Sequence, residues 1–226
     1  METLYNDKAS IVLRKLIQSP GKKWTIREFL KEEGSVSQGW AQKIFSILHE
    51  KKYGYWHRHG RNSYFKLTKI EPLIKKWSNH YSFNHNNVQL FFSDDYHIES
   101  KINEYLSTNY QFADFALGLF SAARLTHPVW INNNISFYLK PWLYNKIVRD
   151  LVFQFKLHRL KSGGNIWLIN PYYKESLFCD SRNINDLPVV SDVQIYLDFM
   201  CLTGRGPEQA QVYIEKILKN WKKNNE

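Results

Sequence analysis

Three places in the chain collect side chains whose types and spacing suit recognition of a polyanion. Between Ser37 and Glu50, the residues Gln38, Gly39, Gln42, Lys43 and Ser46 recur at helical spacing, opposite Trp40, Ala41, Ile44, Phe45, Ile47 and Leu48. Glutamine makes paired hydrogen bonds to adenine, lysine reaches guanine or phosphate, and glycine lets a partner's backbone come close. A solvated helix face carries the same residue types, so the stripe gains meaning only from its context. That context follows at once, because His57, Arg58, His59 and Arg61 crowd around Gly60. A His-x-His pair also suits a metal, but no further ligand of suitable spacing accompanies it, and no metal site is expected. The third place is Gly204-Arg205-Gly206, followed by Pro207. Here an arginine stands where a helix begins, a setting that holds anions; the same glycines equally suit a tight interhelical turn in which Arg205 pairs with Asp198 or a carbonyl.

The surrounding pattern says which elements must position these groups. Ala9, Val12, Leu13, Leu16 and Ile17 mark one stripe of a helix over 7–18, closed by Ser19-Pro20-Gly21. Thr25 and Glu28 have capping-box spacing, and Trp24 and Phe29 that of a hydrophobic staple, which predicts a short helix over 26–33. Gly34 should end it, and Ser35 or Ser37 should open the third helix, running to about Glu50. Tyr53-Gly54 breaks that helix. The aromatic segments 55–58 and 63–67 then flank a Gly-containing turn, as in a β-hairpin. Three helices and a basic hairpin give the order of a winged helix-turn-helix, whose third helix enters the major groove of double-stranded DNA.

Charge supports this division. The 226 residues carry a net +10, but residues 1–70 hold 14 Lys+Arg against 6 Asp+Glu, whereas 71–226 hold 17 against 15. A basic head on a near-neutral body suggests a polyanion-binding module joined to something else. We therefore divide the chain into a DNA-binding domain over 1–70, a linker helix and Asn-rich linker over 71–87, and a C-terminal domain over 88–226. The expected class is α+β: an N-terminal winged helix-turn-helix followed by a larger mixed α/β domain. In that body, strands are expected at 88–92, 111–115, 129–131, 135–139, 152–157 and 166–169, and helices at 98–106, 117–125, 142–150, 192–201 and 207–221. No apolar run is long enough to span a bilayer, and the first residues lack a signal peptide's apolar run, so a cytoplasmic protein without membrane contact is expected. Cys179 and Cys201 read as buried thiols rather than a disulfide.

No nucleophile elbow, H-E-x-x-H pair, P-loop or dinucleotide fingerprint is present. Asp94-Asp95 reads as a helix cap rather than a site. No catalytic residue and no cofactor is assigned.

Three ordered motifs carry a resemblance: Ser162-Gly163-Gly164-Asn165-Ile166-Trp167-Leu168-Ile169-Asn170-Pro171-Tyr172, then the run from Leu187 to Asp198, then Gly204-Arg205-Gly206-Pro207-Glu208-Gln209-Ala210. Together they resemble the AbiEi family, the antitoxin and transcriptional-regulator components of type IV toxin–antitoxin, or abortive-infection, systems. The resemblance implies a bacterial or mobile-element protein whose winged helix represses its own operon. It implies also an antitoxin that opposes a nucleotidyltransferase-like toxin without needing a stable complex with it. Two other readings stay open. One is an enzyme acting on nucleotides or nucleic acid and targeted by the winged helix, although the Gly-Ser motif and paired acids of a metal-dependent nucleotidyltransferase are missing. The other is a mobile-element DNA-binding protein with no antitoxin role.

Overall fold

The structure, a computed structural model, describes residues 3–30, 36–127 and 133–223. The expected Gly34 stop, the Ser35 start, the 31–33 end of the short helix and the 129–131 strand lie outside the described residues. The chain divides into two compact units, one made of Met1–Ser82 with Tyr196–Glu226 and the other of Phe83–Ile195.

In the first unit, helix α1 (Asp7–Gln18) starts where the Asn6 side chain accepts the Ala9 N–H at 2.9 Å, and it buries the predicted apolar stripe. The expected second helix is only a four-residue 3₁₀ turn, Ile26–Phe29, among the described residues. Its predicted staple forms, with the Trp24 and Phe29 rings 5.0 Å apart. Helix α2 (Gln38–Glu50) is capped by Ser37, whose hydroxyl accepts the Trp40 N–H at 3.3 Å. Its end differs in detail from expectation. Lys52, not a glycine, takes the left-handed conformation (φ 59°), and the Tyr53 N–H closes on the Leu48 carbonyl at 2.9 Å. Gly54 is needed for another reason, since a Cβ there would meet the Lys66 carbonyl oxygen at 2.4 Å and the Phe65 ring at 2.5 Å. It opens strand β1 (Gly54–His57), which pairs antiparallel with β2 (Tyr64–Leu67), and Trp24 adds a bridge to Phe65 on the other side. Helix α3 (Ile70–Ser78) follows, burying Leu73, Ile74 and Trp77.

The second unit is built on a seven-stranded sheet. Its strands are β3 (Asn87–Phe92), β4 (Phe115–Leu117), β5 (Ile135–Leu139), β6 (His158–Leu160), β7 (Ile166–Asn170), β8 (Arg182–Ile184) and β9 (Leu187–Val189), in the order β6-β3-β7-β5-β4-β9-β8. β5 runs parallel to β7 and β4 parallel to β9, while the other neighbours are antiparallel. Helices α4 (Ile98–Asn109), α5 (Leu119–Thr126), α6 (Tyr144–Phe155) and the short α7 (Ser176–Cys179) connect them. The result is a mixed α/β structure compatible with the α+β class.

Several local expectations need correction. The stretch 152–157 alternates like a strand but continues α6 to Phe155, because Tyr144, Ile147, Val148 and Leu151 set a 3.6-residue stripe that the helix keeps. The 111–115 strand begins only at Phe115; Gln111 and Asp114 instead form a turn in which the Asp114 carboxylate accepts the Gln111 N–H at 3.0 Å. Cys179 is exposed, not buried, and Cys201 is half-buried; neither forms a disulfide among the described residues. Asp95 accepts the N–H of His97, the residue before α4, at 2.9 Å and pairs with Lys101, but it does not bond a first-turn N–H of the helix, which has no side-chain cap.

The chain returns to the first unit at Tyr196, within helix α8 (Asp192–Met200), and ends in α9 (Gly206–Lys223), which packs on α3. There the Tyr81 hydroxyl donates to the buried Asp198 carboxylate at 2.8 Å. Asp198 is therefore engaged by Tyr81, and Arg205 is exposed.

Tyr144 tests the packing of the second unit. Its hydroxyl donates to the Leu168 carbonyl at 3.1 Å, and burial pushes its pKa up to about 12, with the nearby Arg159 charge pulling the other way. A raised folded-state value favours the neutral phenol in the native protein. That contribution is complete below pH 10 and is lost as pH rises towards 12. Tyr144→Phe should cost about 1 kcal/mol at neutral pH and remove this alkaline step, as read by denaturant midpoints between pH 8 and 12.

Candidate nucleic-acid interface

The exposed face of α2 and the β1–β2 hairpin form the walls of one open cleft. Phe45, on the buried side of α2, packs edge-on to Phe29 and Trp56 at 5.5 and 5.8 Å and stacks on Phe65 at 4.7 Å. Those contacts fix the helix against the 3₁₀ turn and the hairpin together. The opposite side of α2 then faces outward over a cleft of about 1220 Å³, lined by Gln38, Gly39, Gln42, Lys43 and Ser46. All five predicted helix residues are in it. From the hairpin side, Arg58, Gly60 and Arg61 reach the same cleft.

His57 and His59 do not line the cleft. Both are exposed on the hairpin, with rings 6.0 Å apart, and His57 stacks on Tyr64 at 5.1 Å. This follows from strand alternation, since His57 and Tyr55 point to one side of β1 while Trp56 points to the other. Arg58 is held in place: its guanidinium lies 4.0 Å from the Trp56 ring centroid and donates to the Ser46 hydroxyl at 3.1 Å. An arginine stacked on indole keeps its outer N–H groups free for a second acceptor.

The third wall was not singled out in the sequence. Thr25, Ile26 and Arg27, at the start of the 3₁₀ turn, also line the cleft, as do Trp56 and Ser63 of the hairpin. Glu28 organises this wall, accepting the Thr25 N–H at 2.7 Å and its hydroxyl at 2.9 Å, with Lys22 at 2.9 Å. The capping-box spacing pointed to this turn, but not to the contribution Arg27 makes to the cleft. Burial pushes the Glu28 carboxyl up, yet Lys22 and the two Thr25 donors outweigh it and hold its pKa below the usual carboxylate value. The cleft thus presents Arg27, Lys43, Arg58 and Arg61 with amides and the hydroxyls of Thr25, Ser46 and Ser63, and no carboxylate among the described residues lines it. Such a surface attracts a polyanion and offers paired hydrogen-bonding groups to it.

Gly204, Arg205 and Gly206 stand elsewhere, at the start of α9. Gly204 has φ 70°, and a Cβ on Gly206 would lie 2.5 Å from the Phe199 carbonyl oxygen and 2.7 Å from Leu202, so both glycines are required by the turn itself. Arg205 is exposed, and its carbonyl accepts the Gln209 N–H at 3.1 Å. Among the described residues there is no group of three or more His, Cys, Asp or Glu placed to hold a metal ion. No helix among them is long and apolar enough to cross a membrane.

Fold and cleft together make a mixed α/β protein with a cationic, amide-bearing cleft. Residues 66–219 match the family described as transcriptional regulator, AbiEi antitoxin, type IV TA system, and the chain belongs to that family. Neither a curated protein nor a solved structure matches it. The cleft-lining residues, 25–63, precede the matched segment.

Acidification offers a check on the Glu28 wall. Because the folded-state pKa lies below the unfolded value, the stabilisation is present above pH 4.5 and is lost as pH falls further. Amide exchange at Thr25 should accelerate over that range relative to α2, and Glu28→Gln should bring the faster exchange to neutral pH.

Proposed function

We propose that residues 1–70 act as a winged helix-turn-helix binding double-stranded DNA, with α2 as the recognition helix and the β1–β2 hairpin as the wing. The observation that carries this reading is the convergence of Gln38, Gly39, Gln42, Lys43 and Ser46 with Arg58 and Arg61 on one cleft. The glutamines and Lys43 read base edges, while Arg61 and the exposed His57 and His59 lie along the phosphates. Gly39 supports close approach, since a side chain there would meet nothing within 4 Å in the free protein.

With the family as context, the DNA is the operator of the protein's own operon, and binding represses it. The chain is then an autorepressor as well as an antitoxin. It counters a nucleotidyltransferase-like toxin, without needing a stable complex with it, through the region 88–226 that follows the 71–87 linker. The setting of this activity is the cytoplasm. The Gly204-Arg205-Gly206 turn is the candidate functional turn of that region. Its glycines have structural reasons, so the open question is Arg205 alone.

Binding of the full chain to operator duplex should weaken with salt, the slope of log K against log salt being roughly −5 if six phosphates are neutralised. Gln42→Ala and Lys43→Ala should each weaken operator binding by about 1–3 kcal/mol and random duplex much less. Arg61→Ala should weaken both alike. A slope near zero, or equal losses on both DNAs for all three variants, would overturn the assignment of α2 as the reading helix.

For the antitoxin role, Arg205→Ala in the full chain should abolish rescue of toxin-expressing cells while leaving the melting temperature and operator repression unchanged. Full rescue by the variant would remove Arg205 from the functional residues.

A further inference from the structure

The unit Phe83–Ile195 carries a second cationic surface that the DNA cleft does not use. The unit is electrically balanced, with ten Lys or Arg and ten Asp or Glu, yet residues 146–161 hold five of those cations and one acid. The cations are Lys146, Arg149, Lys156, Arg159 and Lys161, all exposed, and the acid is Asp150, which accepts the Tyr110 hydroxyl at 2.5 Å. Lys146 lies 5.0 Å from the Tyr110 ring centroid. The side chains of the other four make no ion pair or hydrogen bond among the described residues.

Lys146, Arg149, Phe153 and Lys156 follow one another at steps of three and four, which places them along one stripe of α6 and its C-terminal cap. Phe153 is 85% exposed in the middle of this stripe. Strand β6 follows directly and forms the outer edge of the sheet, with His158, Arg159 and Leu160 all exposed. Arg159 sits on the α6 side, where its charge acts on the Tyr144 hydroxyl. Beside it, His158, Lys156, Gln154 and Lys101 line a cleft of about 380 Å³. Asp94 and Asp95 stand on the same cleft, with Asp95 paired to Lys101.

Charged residues on an edge strand guard against edge-to-edge pairing, which accounts for Arg159 and Lys161 but not for the α6 stripe. A basic helix carrying an exposed Phe also suits an anionic lipid surface, but such a helix needs a continuous apolar face. The apolar face of α6, made of Tyr144, Ile147, Val148 and Leu151, is buried in the unit's own core. What remains is a track of cations around one open aromatic ring. Duplex DNA hides its base faces and leaves such a ring nothing to stack on, whereas single strands expose them. We propose that the α6 stripe and the β6 edge bind single-stranded nucleic acid, with Arg149, Lys156, Arg159 and Lys161 on the phosphates and Phe153 stacked on a base.

The test is fluorescence anisotropy of the full chain with labelled oligo(dT) and oligo(U) of roughly 12 nucleotides, a length within the usual range of such sites. Both should bind, more weakly as salt rises. Phe153→Ala should lower affinity about tenfold, and Phe153→Tyr should retain it. Arg149→Ala combined with Arg159→Ala should lower it at least as much. All three positions are exposed, so melting temperatures and operator-duplex affinity should stay unchanged in each of these patch variants. Lys43→Ala in the duplex-binding cleft should leave oligonucleotide binding intact, which separates this proposal from the cleft reading. The proposal is overturned by failure of the wild type to bind either oligonucleotide, or by affinities that ignore all patch variants. It is equally overturned if duplex affinity falls in parallel, or if the patch variants change only binding to phosphatidylcholine vesicles containing about a third phosphatidylserine.

Discussion

The N-terminal unit depends on the packing of Phe45. This ring touches Phe29, Trp56 and Phe65, which come from the 3₁₀ turn, β1 and β2 respectively. Burying one phenylalanine contributes about 1.5–3 kcal/mol, but its structural effect here is larger than that figure suggests. It is the point at which three short elements, each too small to be stable alone, acquire a fixed mutual orientation. Gly54 exists to let the Phe65 ring lie close, and the Trp24 bridge to Phe65 ties the 3₁₀ turn to the hairpin. Every cleft residue inherits its position from that cluster: the α2 face because Phe45 occupies the opposite side, Arg58 because Trp56 gives its guanidinium a surface to stack on.

The second unit is organised by polar contacts as well as by its sheet. Both carboxylate oxygens of Glu99 on α4 accept from the Nη2 of Arg124 on α5 at 2.7 Å, and the Ser121 hydroxyl donates to the same carboxylate at 2.5 Å. Arg124 also reaches the Asn134 carbonyl, and Ser121 accepts the Ser136 N–H on β5 at 3.1 Å. A two-pronged arginine–carboxylate pair with its remaining groups satisfied fixes geometry more than it adds stability. Here it fixes α4 and α5 against β5. Gly118 is the permissive element, since a Cβ there would collide with the Tyr138 ring at 2.5 Å.

Local patterns in the sequence were readable wherever one period dominated. Helix α1 and the Ser37 cap follow from stripe and cap. The reading failed where two periods overlapped: Val152 to Leu157 alternates like a strand while extending a helical stripe, and only burial of Tyr144 and Leu151 decides between them. Strands β8 and β9 are three residues each, too short to leave a period. Arg14 is legible to no local rule, since it sits 1% exposed with its guanidinium 5.3 Å from the Trp77 ring, a contact made across more than sixty residues. The α2 stripe was visible as a polar face, but Arg27 was not, because its arrival at the cleft depends on how the 3₁₀ turn is seated.

The extent of the family match bears on how the molecule is assembled. The matched segment begins at Lys66 in β2 and runs to Lys219 in α9, and both of these elements belong to the first unit. It therefore spans the whole of the second unit together with the frame of the first: β2, α3, and α9 packed on α3. What lies outside is α1, the 3₁₀ turn, α2 and β1, the elements that carry the cleft. They are attached to the matched frame through the four-residue register of β1 on β2, the Trp24 bridge to Phe65, the Phe45 stack on the same ring, and α1, whose Arg14 guanidinium lies 5.3 Å from the Trp77 ring of α3. The outward-facing Gln38, Gln42 and Lys43 take no part in those contacts, so they can change without disturbing the frame. Physically, then, the residues that line the cleft and the residues that match the family are different sets, and the boundary between them runs through the β1–β2 hairpin.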